Sequence, residues 1–287
     1  MIPGQFDYHR PSSKQEALQL LSEFGGGGRP LAGGHSIIPM MKLRLAAPEH
    51  LVDLGAVDEL KGISVGGGTI EIGAMTTQHE LLVSGELAKV CPIIGETSAL
   101  IADPQVRYCG TLGGNVANGD PGNDMPGLML CLNANYVLES SGGKREVAAR
   151  EFYHGIYDTA LEDGEILTMV RIPTPPKGHG YAYCKLKRKV GDYATAAAGA
   201  ILTMKGGACE SASIALTNVA DTALYAAEAS DSLAGSKLDD DAIARAAELA
   251  KSIATPVADM RGSEDYRRSM AGLMTARAIR LAAERAS

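Results

Sequence analysis

The chain has 287 residues, 45% of them hydrophobic, and a formal net charge of −7. That length allows two modest domains or one large subdivided one, and the acidic balance opposes electrostatic binding to nucleic acid. No apolar run approaches the roughly 20 residues of a membrane-spanning helix. The opening MIPGQFDYHRP shows no basic region followed by an apolar one, so neither a transmembrane segment nor a signal peptide is expected, and the protein reads as intracellular.

In chain order, DYHRPSSKQEALQLLSEFGGGG predicts a strand and then a helix. Ser13 and Glu16 have capping-box spacing, Leu18, Leu21 and Phe24 share a face, and Gly25 is placed to stop the helix. RPLAGGHSIIPMMKLRL and the strand-like HLVDLGAV complete a β-α-β pattern with a glycine-rich segment after its helix. GGGTIEIGAMTTQHELL gives a turn, an alternating strand and a helix start, and SGELAKVCPIIGETSALIA is helical in pattern.

Six glycines and three prolines then crowd ADPQVRYCGTLGGNVANGDPGNDMPGLML. This density predicts a long structured loop rather than a core element, of the kind that carries function. NANYVLES, KREVAA and EILTMVRIPTP read as strands of a mostly antiparallel sheet, and IPTPPKGHG interrupts the pattern. Beyond it, two or three long strands with a Gly-Gly turn precede two helices, DDDAIARAAELAKSIA and SEDYRRSMAGLMTARAIRLAAERA. In the last helix Tyr266, Met270, Leu273, Met274 and Leu281 keep helical spacing, so a methionine-bearing core face is expected.

Much familiar chemistry is missing. No G-x-G-x-x-G follows a strand, and no phosphate-binding loop with its lysine, H-E-x-x-H or G-x-S-x-G occurs. The five cysteines, Cys91, Cys109, Cys131, Cys184 and Cys209, are widely spaced, with no C-x2-C pair to hold zinc or an iron–sulfur cluster. Buried, inert thiols in a reducing compartment are expected.

Two glycine segments remain, Ala32-Gly33-Gly34-His35-Ser36 and Thr111-Leu112-Gly113-Gly114-Asn115. Either alone reads as a tight turn. Together they suggest two facing loops. Glycine permits positive φ and close approach of a ligand. Successive N–H groups can then cradle phosphate oxygens, and Ser36, Thr111 and Asn115 can add side-chain donors.

LAGGHSIIP and TLGGNVANGDPGNDMP resemble the FAD-binding subunits and domains of the molybdenum hydroxylases, a family that includes xanthine dehydrogenases and aerobic carbon monoxide dehydrogenases. The likeness extends to IPGQFDYHRP, KLKRKVGDYATAA and ADMRGSEDYRRSM, covers essentially the whole chain, and is greatest to the carbon monoxide dehydrogenase type. It implies an α+β chain with the FAD-binding fold of the vanillyl alcohol oxidase (PCMH) type in two subdomains, followed by a C-terminal domain with an antiparallel sheet and a helical bundle. The implied units are an N-terminal α/β subdomain over 1–53, a second α+β subdomain over 54–177, and a carbon monoxide dehydrogenase flavoprotein-type domain over 178–287. The composition breaks near Asp53 and Lys177 agree.

By the same resemblance, Ala32, Gly33, Gly34, His35 and Ser36 hold the FAD pyrophosphate from one side, and Thr111, Leu112, Gly113, Gly114 and Asn115 from the other. Ile101 lines the flavin or ribityl region, and Asp124 accepts from ribityl or ribose hydroxyls. Leu167 and Lys185 touch the cofactor, and Tyr193 flanks the isoalloxazine. Plainer roles stand beside these: His35 as a loop-fixing hydrogen bonder, Asp124 as an Asx turn, Lys185 and Tyr193 as ordinary strand residues. FAD is expected to be non-covalent, because His35 lies in the phosphate cradle and far from the ring.

The implied function is electron transfer. A large subunit holds the molybdenum cofactor and a small subunit two [2Fe–2S] clusters. This chain holds FAD, passes electrons to an external acceptor, and has no metal-ligating or catalytic acid–base residue of its own. A dimer of heterotrimers is expected in the cytoplasm, peripheral at most to the inner face of the membrane through its acceptor. Other molybdenum hydroxylases with xanthine, aldehyde or nicotinate-type substrates are the alternative. Beyond them stand a self-contained flavin oxidoreductase and a non-catalytic nucleotide-binding module.

Overall fold

The structure, a computed structural model, describes residues 2–287. It opens with β1 (Asp7–His9), α1 (Lys14–Phe24), β2 (Gly28–Leu31), α2 (Ile37–Leu43) and β3 (His50–Asp53). The three strands form a parallel sheet with β3 in the middle. The Ser13 hydroxyl accepts the Glu16 N–H, but the Glu16 carboxylate bonds the Ser12 N–H, so only half of the expected capping box forms. Gly25 ends α1 at φ +51, a conformation glycine adopts without strain. Ala17, Leu18 and Leu21 pack on Val52, Leu54, Met75 and Ile166, so this first core is closed by residues from the next sheet.

The second sheet is antiparallel, in the order β4 (Ile63–Gly66), β5 (Thr69–Gly73), β10 (Ile166–Pro173), β6 (Asn135–Ser140), β7 (Gly143–Ala148). Between β5 and β6 run α3 (Gln78–Val83), α4 (Gly85–Val90), α5 (Ile93–Leu100), α6 (Pro104–Cys109), α7 (Leu112–Ala117) and α8 (Asp124–Cys131). After β7 come α9 (Ala149–Phe152) and the small hairpin β8 (Tyr153–Gly155) and β9 (Asp158–Thr159).

The stretch from Ala102 to Leu130 departs from its expectation as a non-core loop. It carries three short helices, and every residue of α8 is buried. Its glycines and prolines serve packing. A Cβ on Gly127 would lie 2.1 Å from Thr217 Oγ1, so α8 presses on a neighbouring strand as only a glycine-bearing helix can.

The third sheet is antiparallel, in the order β11 (Gly180–Leu186), β12 (Ala196–Lys205), β13 (Ala208–Thr217), β14 (Leu224–Tyr225). Gly206 and Gly207, at φ +60 and +81, make the expected Gly-Gly hairpin turn. The chain ends with α10 (Ala227–Asp231), α11 (Asp240–Ser252) and α12 (Glu264–Arg285). Along β12, Ala197 faces the α8 side while Ala196, Ala198 and Ala200 face α11 and α12, as strand alternation requires.

The methionine face expected of α12 is corrected in part. Met274 is buried and Met270 and Leu281 pack against the same core, but Tyr266 and Leu273 are exposed. The inward face is Arg267, Ala271, Met274, Thr275, Ala278, Ile279 and Ala282. Small residues win there because the helix lies very close to the sheet: a Cβ on Gly180 would come 2.0 Å from Ala282 O.

Candidate functional site

A cleft of about 720 Å³ runs between the three sheets, within the size range of small-molecule sites. Of the residues singled out from sequence, Ala32, Gly33, Gly34, His35, Ser36, Ile101, Thr111, Gly113, Gly114, Asn115, Asp124, Leu167, Lys185 and Tyr193 line it. Leu112 does not. Its side chain is fully buried in the second core, on the side of α7 away from the cleft.

The two glycine segments differ in construction. The first is a loop between β2 and α2, with Gly34 at φ +74. Among the described residues, the N–H groups of Gly33, Gly34, His35 and Ser36 have no protein acceptor, nor does the Ser36 hydroxyl cap α2. His35 is exposed and its ring bonds nothing among the described residues, so the loop-fixing role does not appear.

The second segment is helix α7 itself, and neither of its glycines has positive φ. Its amides are spent: Leu112 N–H donates to Thr76 O (2.9 Å), Gly113 N–H to Ala74 O (2.8 Å), Asn115 N–H to Thr111 O (3.1 Å) and Gly114 N–H to the N-capping Thr111 Oγ1 (3.0 Å). The expectation of a second backbone cradle is therefore corrected. Side chains remain: Thr111 keeps its hydroxyl proton, and Asn115 keeps its NH2, since only its Oδ1 is used, by the Met125 N–H at 3.2 Å.

The glycines bring the two segments together. A Cβ on Gly33 would lie 2.4 Å from Cys109 O, and one on Gly114 would lie 3.2 Å from the Ala32 Cβ. At Gly33 the loop backbone meets that of Cys109 and Gly110, just before the second segment, and at Gly114 helix α7 comes against the Ala32 methyl.

At one end Asp124, buried at the start of α8, receives Lys185 Nζ at 2.6 Å and the Tyr183 hydroxyl at 2.9 Å. Burial pushes its carboxyl up, while Lys185 and Tyr183 pull it back. Asp124 is thus an ion-pair partner rather than an Asx turn, and each oxygen still has a lone pair to offer.

Lys185 and Lys187 both reach Leu100 O, at 3.4 and 3.2 Å, and Arg107 donates to Ile101 O at 2.8 Å. These cations fix a turn with Ala102 at φ +44, and the turn aims Ile101 into the cleft. Burial and the neighbouring Lys185 hold Lys187 below the usual lysine range. Lys185, with its side chain buried, is therefore more than an ordinary strand residue. Leu167 is delivered by a register shift in β10 between Leu167 and Met169, the kind of bulge that re-aims side chains beside sites. Tyr193 stands at the mouth, 42% exposed.

Sequence reasoning missed Gln78, Asn118 and Asn123, which also line the cleft. Buried Gln78 accepts from Ser98 and donates to Thr111 O, while Asn123 donates to Asn115 O. Asn118 Nδ2 is buried in the cleft wall with no partner among the described residues, so a donor waits there for an acceptor. The asparagines lie in the same glycine-rich run as Asn115, which was their one visible signal.

Burial pushes the Cys91 and Cys131 thiols up to about 12. Cys109 is exposed, contrary to the expectation of uniformly buried thiols. Among the described residues no group of His, Cys, Asp and Glu is arranged to hold a metal ion, and no helix is long and apolar enough to cross a membrane.

Comparison with known proteins gives the cleft a context. Residues 4–175 match the FAD binding domain in molybdopterin dehydrogenase, and residues 181–282 the CO dehydrogenase flavoprotein C-terminal domain. The carbon monoxide dehydrogenase medium chain of Afipia carboxidovorans is 60% identical over 286 residues, covering 100% of this chain and 99% of that one. The medium chain of Hydrogenophaga pseudoflava is 45% identical over 98% of each. A chain of reconstituted CO dehydrogenase from Oligotropha carboxidovorans superposes with a TM-score of 0.99 at 60% identity, with both chains covered completely. With both of its halves matched and the α+β fold shared end to end, the chain belongs to the FAD-binding subunits of the molybdopterin dehydrogenases, the molybdenum hydroxylase family.

Proposed function

We propose that this chain is the FAD-binding electron-transfer subunit of an aerobic, molybdenum-containing carbon monoxide dehydrogenase. The observation that carries the reading is the 60% identity to a carbon monoxide dehydrogenase medium chain over essentially the full length of both. The units at 1–53, 54–177 and 178–287 are assigned as the two FAD-binding subdomains and the flavoprotein C-terminal domain.

The cleft fits FAD chemically. A pyrophosphate needs several donors at one place. The free amides of Gly33, Gly34, His35 and Ser36 supply them from one side, and the Thr111 hydroxyl and the Asn115 NH2 from the other. The orphaned Asn118 Nδ2 supplies one more donor for an acceptor on the ligand. Asp124 would accept from sugar or ribityl hydroxyls, Lys185 would hold Asp124 charged and oriented, and Ile101, Leu167 and Tyr193 would wall the rings. Bound there, FAD supplies the redox chemistry that side chains lack. Among the residues lining the cleft there is no Cys, and the one His, His35, is beside the anion-binding amides, so FAD is held non-covalently in this reading and should leave on acid precipitation.

The molybdenum cofactor and two [2Fe–2S] clusters are assigned to large and small partner subunits, in a dimer of heterotrimers in the cytoplasm. The chain's own tasks are to bind the flavin, exclude water from it and present it to donor and acceptor. The test is to strip FAD from the purified complex. Carbon monoxide should still bleach the iron–sulfur absorbance, while steady reduction of the terminal acceptor should fall sharply and return when FAD is restored. Full acceptor reduction by flavin-free complex would overturn the reading.

A further inference from the structure

The run Gly119-Asp120-Pro121-Gly122 at the cleft mouth is unexplained by anion binding. Asp120 Oδ1 accepts the Gly122 N–H at 2.8 Å, an Asx turn that fixes the carboxylate. Oδ2 then accepts two phenols: Tyr157 at 3.2 Å and Tyr193 at 3.4 Å. Among the described residues Asp120 has no cationic partner, so these are its side chain's only other bonds.

The two tyrosines come from different parts of the chain. Tyr157 sits at the tip of the hairpin of β8 and β9, at φ +57, and its N–H donates to Gly119 O at 2.9 Å. Tyr193 lies in the connection between β11 and β12.

Each flanking glycine receives one of them. A Cβ on Gly119 would lie 3.1 Å from the Tyr157 Cα and 2.9 Å from Thr159 Cγ2. A Cβ on Gly122 would lie 3.0 Å from Tyr193 Cδ1, so the ring rests on bare backbone. The connection carrying Tyr193 is pinned in turn. Asp192 is held by Arg188 at 3.2 Å and by Arg261 at 3.1 Å, and the Arg261 guanidinium stands 5.8 Å over the Tyr193 ring. Burial and Asp120 push both phenols up, so both are protonated donors at neutral pH.

We infer that Asp120 is a positioning residue: it joins Tyr157 and Tyr193 into a clasp across the cleft mouth, fixing the Tyr193 ring beside the flavin and slowing flavin release. This rests on the assignment of the cleft to FAD. Strand propensity explains neither the convergence of two phenols on one carboxylate oxygen nor the bare backbone beneath both.

The experiment compares Asp120→Asn with wild type in the assembled complex. Asparagine keeps the Oδ1 acceptor for Gly122 but cannot accept phenolic protons with its NH2. FAD release, followed after dilution with an apoflavoprotein trap, should quicken about tenfold, as expected for losing hydrogen bonds to a charged group. The visible circular dichroism of the bound flavin should change, because the neighbouring ring loses its fixed orientation. Tyr157→Phe, at a half-exposed position, should shift both readouts the same way. In a Tyr157→Phe/Tyr193→Phe background, Asp120→Asn should add nothing. Unchanged release and dichroism in Asp120→Asn would overturn the clasp, as would a full effect persisting without the two phenols. Gly34→Ala serves as the control on the underlying assignment. If it too leaves FAD content and release untouched, the cleft is not the FAD site; if it alone weakens binding, only the clasp is wrong.

Discussion

Gly33-Gly34 and Gly113-Gly114 are the same dipeptide on opposite walls of one cleft, and they do different work. Gly34 has the left-handed conformation, and its loop leaves four successive amides without an acceptor among the described residues. Gly113 and Gly114 are ordinary helical residues, and the amides around them are consumed by Thr76, Ala74 and Thr111. In the first pair Gly34 frees backbone donors for a ligand, while Gly33 lets the loop rest on the backbone of Cys109 and Gly110. The second lets a helix sit against Ala74 on one side and Ala32 on the other. A glycine pair therefore announces a close approach of something to the backbone, and the neighbouring hydrogen bonds decide whether that something is a ligand or the protein itself.

The sharpest way to break this contrast is Gly113→Ala. The new Cβ would lie 2.5 Å from the Ala74 Cβ and 2.8 Å from Ala74 O. Backbone cannot swing aside as a side-chain tip can. Overpacking of this kind costs about 1–3 kcal/mol, and urea unfolding of the purified chain should show a loss at the upper end. An unaltered midpoint would mean that α7 has room to move and that its glycines are not packing residues.

Next comes Gly34→Ala. A non-glycine residue in the left-handed region costs about 1–2 kcal/mol. The Cβ would lie 2.7 Å from Ile38 Cδ1 and 3.4 Å from Leu31 Cδ1, side-chain ends that can turn away. Stability should therefore fall less than in Gly113→Ala, while FAD content after gel filtration falls more than stability alone explains, because the loop re-aims its amides. Equal losses of FAD in the two variants, scaled to their stability, would erase the functional distinction between the pairs.

These differences mark where sequence reasoning reached and where it stopped. The order of strands and helices was legible from periodicity, as in the alternation along β12 and the Gly206-Gly207 turn, because those signals are local. The segment from Ala102 to Leu130 was not. Its glycines and prolines look like loop residues until Thr217 is seen pressing on Gly127, a contact 90 positions away in sequence. Likewise the large residues of α12 show only part of its inward face: Met270, Met274 and Leu281 pack on the core, and small residues such as Ala271, Ala278 and Ala282 complete it, because Gly180 brings the sheet very near. The cleft residues were reached through motif resemblance. Composition alone could not separate the free amides of one glycine pair from the spent amides of the other. The Asp120 clasp depends on the convergence of distant segments, which no local pattern encodes.

Smaller in effect is Thr111→Val. It is nearly isosteric but leaves the Gly114 N–H without its cap. Loss of such a cap costs about 0.5–2 kcal/mol, and Thr111→Ser should restore most of it. If the Thr111 hydroxyl also donates to the ligand, FAD release should quicken beyond what the stability loss accounts for. A valine variant with native stability would show that the N-cap bond at 3.0 Å carries no weight.

The smallest expected stability change, and the most discriminating, is Gly114→Ala. Opposing terms nearly cancel. Alanine is favoured over glycine inside a helix by about 1 kcal/mol, and the φ of Gly114 imposes no penalty. Against this, the Cβ would lie 2.9 Å from Thr111 Oγ1 and 3.2 Å from the Ala32 Cβ, so the cap and the facing loop must each yield by a few tenths of an ångström. Unfolding should shift by under about 1 kcal/mol in either direction, since partial relief of overpacking meets the propensity gain. The ligand should feel the change more. Ala32 is the first residue of the loop whose amides face the cleft, and pushing it outward widens the gap that the pyrophosphate would bridge. FAD release should quicken while the midpoint of unfolding barely moves. If stability falls by several kcal/mol instead, the two glycine segments are welded more tightly than their contact distances indicate. If neither quantity moves, the facing walls of the cleft are independent, and the ligand is held by the Gly34 loop alone.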